Sequence, residues 1–413
     1  MKKPKVLAFV MAGGEGSRLN PLTAERSKPS VPFGARYRII DFVLSNLVNS
    51  DINSIYLLVQ YKSQSLIEHV RKAWGMGSNV PANFITIVPP QMRTGREWFQ
   101  GTADAIYQNL NLIRQHNPDL VLVFGADHIY RMDVGQMVDF HFARQAECSV
   151  AAIPVPLADA SAFGVIDAEP DGRIRGFLEK PTNPPAMADR PTHAYASMGN
   201  YLFSTEVLVR ELKAARERGE HDFGQHVLPH LIEGGRLYAY DFAQNQVPGV
   251  RDYEEQAYWR DVGTLDAYYE ANMDVLGLAP RFDVFNPQWP IISSNYQGPV
   301  AKFEEASLSG SIVSAGCVVN GARVSNSILR REVVLEPDVE LDDCIIMDRV
   351  TIGRGAKLKG VIVDRYNVIE PGTRIGFDAA ADAQRYKVTE SGVVVIPKAP
   401  AYELARASFD QDS

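Results

Sequence analysis

The chain has 413 residues, a formal net charge of −8 and 46% apolar residues. This length exceeds what one compact core usually holds, so we expect two domains of an ordinary globular protein. The negative charge argues against nucleic acid as a partner. It does not exclude small phosphorylated ligands, which need only local cations.

The cysteines and the N-terminus bear on the compartment. Cys148, Cys317 and Cys344 are widely spaced without a metal-ligand pattern, which fits a reducing environment. Three lysines within the first five residues imitate a signal peptide, but the apolar segment behind them is short and runs into Gly-Gly-Glu-Gly rather than a cleavage site. No segment offers the ~18 apolar residues of a membrane span. We therefore expect a cytoplasmic protein with no membrane partner.

Short apolar segments alternate with longer helical patterns up to about residue 280. In chain order, the predicted strands are Lys5–Met11, Ser54–Gln60, Phe84–Val88, Leu120–Gly125, Ser149–Pro154, Ile174–Leu178 and Asn200–Ser204. The predicted helices between them include Ile40–Ser50, Ser63–Ala73, Thr102–Arg114 and Val134–Ala146. This alternation is typical of an α/β, Rossmann-like domain with a mostly parallel sheet and helices on both faces. Ligands of such sheets bind beyond the carboxyl ends of the strands.

The pattern changes after a proline-rich stretch, Leu278–Pro290, and we predict domains at 1–280 and 281–413. Beyond this stretch, apolar residues recur every six positions in three registers: Val350, Ala356, Ile362 and Val368; Ile346, Ile352 and Leu358; and Val363, Ile369 and Ile375. This period fits the hexapeptide rungs of a left-handed parallel β-helix. A β-sandwich with coincidental spacing is the alternative. Because a β-helix often builds oligomers and needs no ligand, we expect this half to be architectural or regulatory.

A glycine-rich segment follows the first predicted strand. It contains Gly13, Gly14 and Gly16, with Arg18 two residues beyond and Lys28 ten residues further. Glycines let the backbone approach a phosphate and direct N–H groups at it, and the two cations could neutralise a polyphosphate. The segment lacks the Gly-x-Gly-x-x-Gly of a dinucleotide site and the Gly-Lys-Ser/Thr of a Walker loop. A purely structural turn is the alternative interpretation.

Candidate carboxylates and a further cation come later in the chain. Asp127 follows a buried strand and, together with Asp261, could hold a Mg²⁺ ion against phosphate oxygens. A helix N-cap is the alternative for Asp127. Pro181 predicts an extended Lys180, which would splay Glu179 and Lys180 around a sugar phosphate. A solvated ion pair is the alternative for that dipeptide.

Taken together, these segments resemble one family. The motifs are Ala-Gly-Gly-Glu-Gly-Ser-Arg-Leu (12–19), Ser-Lys-Pro (27–29), Gly-Thr-Ala-Asp-Ala (101–105), Gly-Ala-Asp-His-Ile-Tyr (125–130), Glu-Lys-Pro (179–181) and Trp-Arg-Asp-Val-Gly-Thr (259–264). Their order and spacing are similar to those of sugar-nucleotide pyrophosphorylases. The segments 38–46 and 196–199 resemble the bacterial glucose-1-phosphate adenylyltransferases in particular, and the likeness runs essentially end to end.

The resemblance implies a function. Members of this family make ADP-glucose and pyrophosphate from ATP and glucose 1-phosphate with Mg²⁺, the committed step of glycogen biosynthesis, as allosteric homotetramers in the cytoplasm. Residues 1–280 would then be the nucleotidyltransferase domain, and residues 281–413 a linker plus a β-helix for oligomerisation and regulation. A pyrophosphorylase of other nucleotide or sugar specificity and a non-catalytic regulatory paralogue are the alternatives.

The resemblance also implies roles for individual residues. Arg18 and Lys28 would neutralise the β- and γ-phosphates of ATP, while Asp127 and Asp261 would hold Mg²⁺, and these four would be the catalytic groups. The implied ATP site consists of Gly13, Gly14, Gly16, Arg18, Lys28, Gln60, Gly101 and Thr102. The implied glucose 1-phosphate site consists of Phe99, Gly164, Glu179, Lys180, Ser197, Tyr201, Asp222 and Trp259, with Lys180 on the phosphate.

Two departures and one regulatory expectation complete the comparison with the family. Phe99 stands where many relatives carry Tyr, and Gln225-His226 replaces the usual Lys-Asp, but neither change removes a metal or phosphate ligand. Relatives respond to sugar-phosphate or keto-acid effectors through basic residues between the domains. Arg38 and Arg385 are the candidates here, with ordinary surface arginines as the alternative.

Overall fold

A computed structural model describes residues 3–75, 83–91, 98–234 and 236–400. The strands of the N-terminal half are β1 (Val6–Ala12), β2 (Pro32–Phe33), β3 (Tyr37–Arg38), β4 (Ser54–Val59), β5 (Phe84–Val88), β6 (Leu120–Gly125), β7 (His128–Tyr130), β8 (Cys148–Pro156), β9 (Gly164–Ala168), β10 (Ile174–Glu179), β11 (His193–Ser204), β12 (Leu237–Asp241) and β13 (Trp259–Asp261). The helices are α1 (Ile39–Asn49), α2 (Gln64–Ala73), α3 (Thr102–Tyr107), α4 (Leu110–His116), α5 (Val134–Ala143), α6 (Thr205–Arg218), α7 (Leu228–Gly234) and α8 (Leu265–Met273).

Within the described ranges, the central sheet has nine strands, in the order β10-β9-β11-β6-β1-β4-β5, with β8 and β12 continuing from β11. Strands β6, β1, β4 and β5 are mutually parallel, and of the nine strands only β10 and β11 run against the others. The prediction of a mostly parallel sheet is therefore confirmed. Met11 pairs with Gly125, so the glycine-rich loop after β1 and the turn after β6 leave the sheet at the same edge.

Both faces of the inner strands β1, β4 and β6 are buried. Alternate residues of β1 face opposite ways, because side chains of a strand have a period of two. Leu7 and Phe9 join an apolar cluster with α3, α4 and α6, whereas Ala8 and Val10 join a second cluster with α1, α2 and α5. A strand covered on both faces needs apolar residues at every position. This is why the predicted strands were nearly continuous apolar segments.

The single helix predicted over 102–114 is wrong, because the structure has α3 and α4 instead. The break lies at Asn109, whose side-chain amide donates to the carbonyl of Ala105 at 2.8 Å while its backbone N–H turns to Ile106. An Asn side chain that bonds nearby backbone competes with the helical ladder in this way. Other predicted ends shift less, except that β11 begins at His193 because its first residues pair with β8 and β9.

The C-terminal half consists of short strands whose pairings are parallel, except that Lys387–Val388 pairs antiparallel with Val394–Ile396. They are β14 (Lys302–Glu304), β15 (Ser307–Ser309), β16 (Ile312–Val313), β17 (Val318–Asn320), β18 (Arg323–Ser325), β19 (Ile328–Leu329), β20 (Val334–Leu335), β21 (Glu340–Asp342), β22 (Ile345–Ile346), β23 (Thr351–Ile352), β24 (Lys357–Lys359), β25 (Val361–Val363), β26 (Val368–Ile369), β27 (Arg374–Ile375), β28 (Lys387–Val388) and β29 (Val394–Ile396), with helix α9 (Ala379–Ala383) near the end. They form three sheets, so that three strands make one turn of a parallel β-helix. The predicted β-helix is confirmed.

The six-residue registers hold with one exception. Val350, Ala356 and Ile362 are buried as predicted, but Val368 is 62% exposed and its neighbour Ile369 points inward instead. The reason is the number of residues in one coil of the β-helix. From β14 to β24, each strand pairs with a strand 16 or 17 residues further along, so a strict six-residue repeat slips against the coils of the β-helix. All members of the other two registers are buried.

The two halves share an interface. Phe33, Phe42 and Phe282 pack in one apolar cluster with Ile345 and Ile362 of the β-helix. Between α8 and β14, residues 274–301 form no helix or strand, and the boundary predicted at 280/281 lies there and stays a prediction. Within the described ranges, the helices are all too short or too polar to cross a membrane.

Candidate active site

A cavity of about 580 Å³ opens at the edge of the sheet where β1 and β6 end. Most of the residues predicted to bind substrates line it: Gly13, Gly14, Gly16, Arg18, Lys28, Gln60, Phe99, Gly101, Thr102, Asp127, Glu179, Tyr201 and Asp222. The others lie behind the wall or at its rim: Gly164, Lys180, Ser197, Trp259 and Asp261. Each of these five contacts a wall residue. The residues predicted from the sequence to bind the substrates and the metal ion therefore lie in or next to a single cavity.

The glycine-rich loop has one glycine that the chain requires and one that it does not. Gly16 has φ +66°, and a Cβ there would lie 2.9 Å from the Cβ of Lys28, so the fold itself demands glycine. Around Gly14, no atom of the described residues, apart from its own and those of its two chain neighbours, lies within 4 Å of the position that a Cβ would take. The backbone of Gly14 is therefore open to a ligand from the cavity.

Three distant segments bring one ammonium and two carboxylates together. Strands β7 and β13 pair antiparallel with Asp261 opposite His128, which sets Asp261 beside the turn that carries Asp127. Lys28 begins a 3₁₀ turn, and its Nζ lies 3.0 Å from Asp127 Oδ2 and 2.8 Å from Asp261 Oδ1. The expectation that both aspartates meet at the sheet edge agrees with this geometry.

Electrostatics favour a charged cluster. Burial would raise the pKa of the Asp127 carboxyl, but attraction by Lys28 and then His128 outweighs it and holds that pKa far below its usual range. Burial would lower the pKa of Lys28, but Asp127 and Asp261 raise it above its ordinary value. One ammonium against two carboxylates leaves a net charge of −1. The cluster therefore has anionic character that a divalent cation can neutralise.

The donor set also fits a metal ion. Ligand atoms of Asp127, His128 and Asp261 all lie within 4.8 Å of one another. Carboxylate oxygens are the ligands that Mg²⁺ prefers, and an imidazole nitrogen is tolerated by other divalent ions. His128 Nδ1 is buried and has no hydrogen-bond partner among the described residues.

His128 is also the residue that the sequence reasoning missed. It lines the cavity, and its ring centre lies 4.8 Å from that of Trp259. It directly follows Asp127 in the motif 125–130, which was the available signal. A single histidine beside an aspartate does not indicate a role without the pairing of β7 with β13.

A second group of polar side chains lines the cavity away from the cluster of Lys28, Asp127 and Asp261. A Cβ on Gly164 would lie 3.0 Å from Glu179 Oε2, which fixes Gly164 as a close neighbour of that carboxylate. Burial raises the pKa of Tyr201, and Asp222 and Glu179 raise it further, although a hydrogen bond with Ser197 opposes this. Tyr201 therefore keeps its hydroxyl proton and can serve as a neutral hydrogen-bond donor.

The extended conformation predicted for Lys180 is wrong. Its φ is +48°, because its N–H donates to the carbonyl of Phe163 at 3.0 Å and turns the chain at the end of β10. Its Nζ lies 3.7 Å from Glu179 Oε1, and the side chain is 65% exposed. Lys180 thus stands exposed beside Glu179, which lines the cavity, and the two side chains are not splayed apart.

Thr102 and Asp222 bind each other. The Thr102 hydroxyl donates to Asp222 Oδ2 at 3.0 Å and accepts the N–H of Phe223, while the N–H of Gln225 donates to Asp222 Oδ1. These bonds hold the start of α3 to a π-helical turn at 223–227. They link the part of the cavity predicted for the nucleotide to the part predicted for the sugar.

The two predicted effector residues differ in environment. Arg38 lies at the interface of the two halves and donates to the hydroxyl of Ser65 at 2.7 Å. Burial, and then repulsion by Arg365, Arg330 and Arg26, lowers the pKa of Arg38 to about 9. Arg385 is exposed after α9, with its guanidinium 5.2 Å from the ring of Tyr386.

Comparison with known proteins identifies the class and then the family. Residues 7–277 match the family model described as "Nucleotidyl transferase", and residues 299–396 match "GlmU-like, C-terminal hexapeptide", which agrees with a left-handed parallel β-helix. The protein is thus a nucleotidyltransferase with a hexapeptide domain.

Full-length relatives narrow this class. A protein named glucose-1-phosphate adenylyltransferase from Thermodesulfovibrio yellowstonii is 55% identical over 97% of each chain. Proteins of the same name from an Anaeromyxobacter species and from Corynebacterium jeikeium are 47% and 46% identical over at least 96% of each chain. The chain belongs to the glucose-1-phosphate adenylyltransferase family. The resemblance drawn from the sequence motifs is confirmed, whereas the roles of individual residues stay predictions.

Proposed function

We propose that this protein transfers the adenylyl group of ATP to glucose 1-phosphate, giving ADP-glucose and pyrophosphate, in the first committed step of glycogen biosynthesis. The observation that carries the proposal is the cluster of Lys28 with Asp127 and Asp261 beside the open backbone of Gly14. It brings a glycine-rich loop, an ammonium and a pair of carboxylates together at one cavity, which is the set of groups that binding a triphosphate with a divalent cation needs. Membership of the adenylyltransferase family supports the choice of substrates.

The reaction needs charge stabilisation more than proton transfer. A phosphate oxygen of glucose 1-phosphate is already anionic and attacks the α-phosphorus of ATP, so no general base is required. The bond from the α-phosphorus to the bridging oxygen breaks, and pyrophosphate leaves with the electron pair. Arg18, Lys28 and the glycine-rich backbone would hold the leaving phosphates, and in-line positioning would supply the rest of the catalysis.

Asp127 and Asp261 would hold the divalent cation, which we propose to be Mg²⁺. When bound, it would neutralise charge that develops on the phosphate oxygens. The contribution of the chain itself is the pairing of β7 with β13, which presents both carboxylates to one point.

We assign the sugar to the opposite part of the cavity. Glu179 and Asp222 can accept hydrogen bonds from sugar hydroxyls, and the protonated Tyr201 can donate one. Lys180 is our candidate for the phosphate of glucose 1-phosphate, since its exposed ammonium stands beside Glu179 at 3.7 Å.

The test is pyrophosphate release from purified protein with Mg²⁺ and glucose 1-phosphate, comparing ATP, UTP, dTTP, GTP and CTP. We expect release with ATP, and we expect Asp127→Asn to slow it about a thousandfold, since loss of a metal contact costs several kcal/mol of transition-state stabilisation. Preference for another nucleotide would show that the protein is a sugar-nucleotide pyrophosphorylase of different nucleotide specificity. No release with any nucleotide would favour a non-catalytic paralogue.

We also propose that sugar-phosphate or keto-acid effectors bind at the interface of the two halves. Arginines outnumber aspartates there: Arg26, Arg38, Arg330 and Arg365 face Asp348 and Asp364. Arg26 Nη1 and Arg365 Nε are buried and lack hydrogen-bond partners within the described chain. Such an excess of buried positive charge favours an anionic ligand.

Regulation and assembly can be tested on the same protein. We expect fructose 6-phosphate, fructose 1,6-bisphosphate or pyruvate to raise the rate, and Arg38→Gln to remove most of that activation while Arg385→Gln removes less, because Arg385 is exposed. We propose a homotetramer in the cytoplasm, and light scattering should give the molar mass of four chains. Equal activation in all three proteins would assign the effector to another surface.

A further inference from the structure

Lys28 occupies the same carboxylates that the proposed cation needs. Its Nζ bonds Asp127 Oδ2 and Asp261 Oδ1, and its side chain is only 9% exposed, against 40% for Asp127 and 22% for Asp261. The ammonium is therefore the best shielded of the three charges, although the Lys28 side chain still reaches the cavity wall. Nothing else in this cluster is as deeply buried.

Geometry makes the two cations alternatives. The ammonium is 3.0 Å and 2.8 Å from its two carboxylate oxygens. A Mg²⁺ ion that used these same two oxygens, with ligand distances of about 2.1 Å, would displace the ammonium from its hydrogen bonds. Two positive charges this close repel each other, and the repulsion is strong because the ammonium is largely shielded from water.

We propose that Lys28 is a two-position residue: its ammonium competes with the divalent cation for Asp127 and Asp261, and the triphosphate relieves the competition by offering Lys28 other acceptors. This inference rests on the proposed function, because it takes the cation and the triphosphate from it. It adds that the carboxylate pair binds a divalent cation poorly until a nucleotide arrives. The cation and the nucleotide therefore bind cooperatively.

The surroundings of Lys28 permit this movement without a change of fold. The backbone of its turn is fixed by hydrogen bonds from Ser30 N to Ser27 O and from Val31 N to Lys28 O. The side chain is a flexible four-carbon stem, and it lines the cavity together with Gly14 and Gly16. Rotation about side-chain bonds is enough to carry the ammonium from the carboxylates toward the glycine-rich loop.

The test is a titration with Mn²⁺ in the absence of any nucleotide. The electron paramagnetic resonance signal of free Mn²⁺ measures how much of the ion is bound. Wild type is compared with Lys28→Gln, Lys28→Ala and the control Arg18→Gln. The control removes from the same cavity a positive charge that, among the described residues, forms no ion pair with Asp127 or Asp261. We expect both Lys28 variants to bind Mn²⁺ at least tenfold more tightly than wild type, and Arg18→Gln to stay within about threefold. Mn²⁺ should also raise the Tm of the Lys28 variants more than it raises the Tm of wild type.

Several outcomes overturn the inference. Lys28 variants that bind Mn²⁺ no better than wild type would show that the ammonium does not compete, and an equal gain in Arg18→Gln would show a general effect of charge. The assay contains no substrate, so its failure is distinct from failure of the proposed function. Pyrophosphate release from wild type together with unchanged Mn²⁺ affinity in the variants would refute this inference alone.

Discussion

The glycine-rich loop allows a paired test of structural and ligand roles, using Gly14→Ala and Gly16→Ala. The two positions are two residues apart and receive the same added methyl group. At Gly16 the methyl group would meet the Cβ of Lys28 at 2.9 Å on a backbone with φ +66°. At Gly14 it would meet no atom of the described chain within 4 Å beyond the two neighbouring residues. We therefore expect the first substitution to damage the fold and the second to damage only binding.

The magnitudes follow from these contacts. A side chain on a left-handed backbone costs about 1–2 kcal/mol before any steric clash is counted. Each kcal/mol of lost stability lowers the Tm by roughly 2–4 °C in a domain of about 250 residues, so we expect the Tm of Gly16→Ala to fall by at least this much. Gly16→Ala also shifts Lys28, so its activity should fall as well. Gly14→Ala should keep the Tm of wild type but raise the KM for ATP, because the methyl group fills the space that we assign to a phosphate.

Thermal unfolding and steady-state kinetics with ATP as the varied substrate measure both effects. The reasoning would be refuted by a Gly14→Ala protein with the wild-type KM for ATP, since the open backbone would then contact no phosphate. It would also be refuted by equal losses of Tm in the two variants. A Gly16→Ala protein as stable as wild type would contradict the steric part alone.

Three further predictions concern other sites. Lys180→Ala should raise the KM for glucose 1-phosphate and leave the KM for ATP unchanged, and the opposite pattern in initial rates would remove Lys180 from the sugar site. Asp364→Asn leaves the buried Arg26 uncompensated and should cost about 3–5 kcal/mol of stability in thermal or denaturant unfolding. Burial would raise the pKa of Asp41, but His69 and other hydrogen-bond donors hold it below its ordinary value. Its stabilisation is therefore present above about pH 4 and lost as the pH falls through the lower folded-state pKa, so Asp41→Asn should flatten the acid loss of Tm.

Local sequence signals predicted much of the fold and part of the site. The continuous apolar segments of β1 and β6 indicated buried parallel strands, and the position of Gly14 and Asp127 directly after them predicted a common edge. The hexapeptide period predicted the β-helix, because each rung repeats the same inward position. These signals depend on neighbours in the chain and are therefore readable without the structure.

The missed features depend on contacts between distant segments. Lys180 turns because its N–H finds the carbonyl of Phe163, and no local preference encodes that bond. His128 can be considered as a metal ligand only because the pairing of β7 with β13 places Asp261 opposite it. The exposed Val368 reflects the 16- and 17-residue turns of the β-helix, which a strict six-residue count does not contain.

The central claim is transfer of the adenylyl group from ATP to glucose 1-phosphate, and ³¹P nuclear magnetic resonance of the reaction mixture tests it most directly. With wild-type protein and Mg²⁺, we expect the ATP and glucose 1-phosphate signals to fall together while those of ADP-glucose and pyrophosphate rise in equal amounts. Asp127→Asn should leave the spectrum nearly unchanged over the same time. Appearance of ADP with a new sugar phosphate, or of inorganic phosphate without ADP-glucose, would contradict the account because the bond at the α-phosphorus would have remained intact.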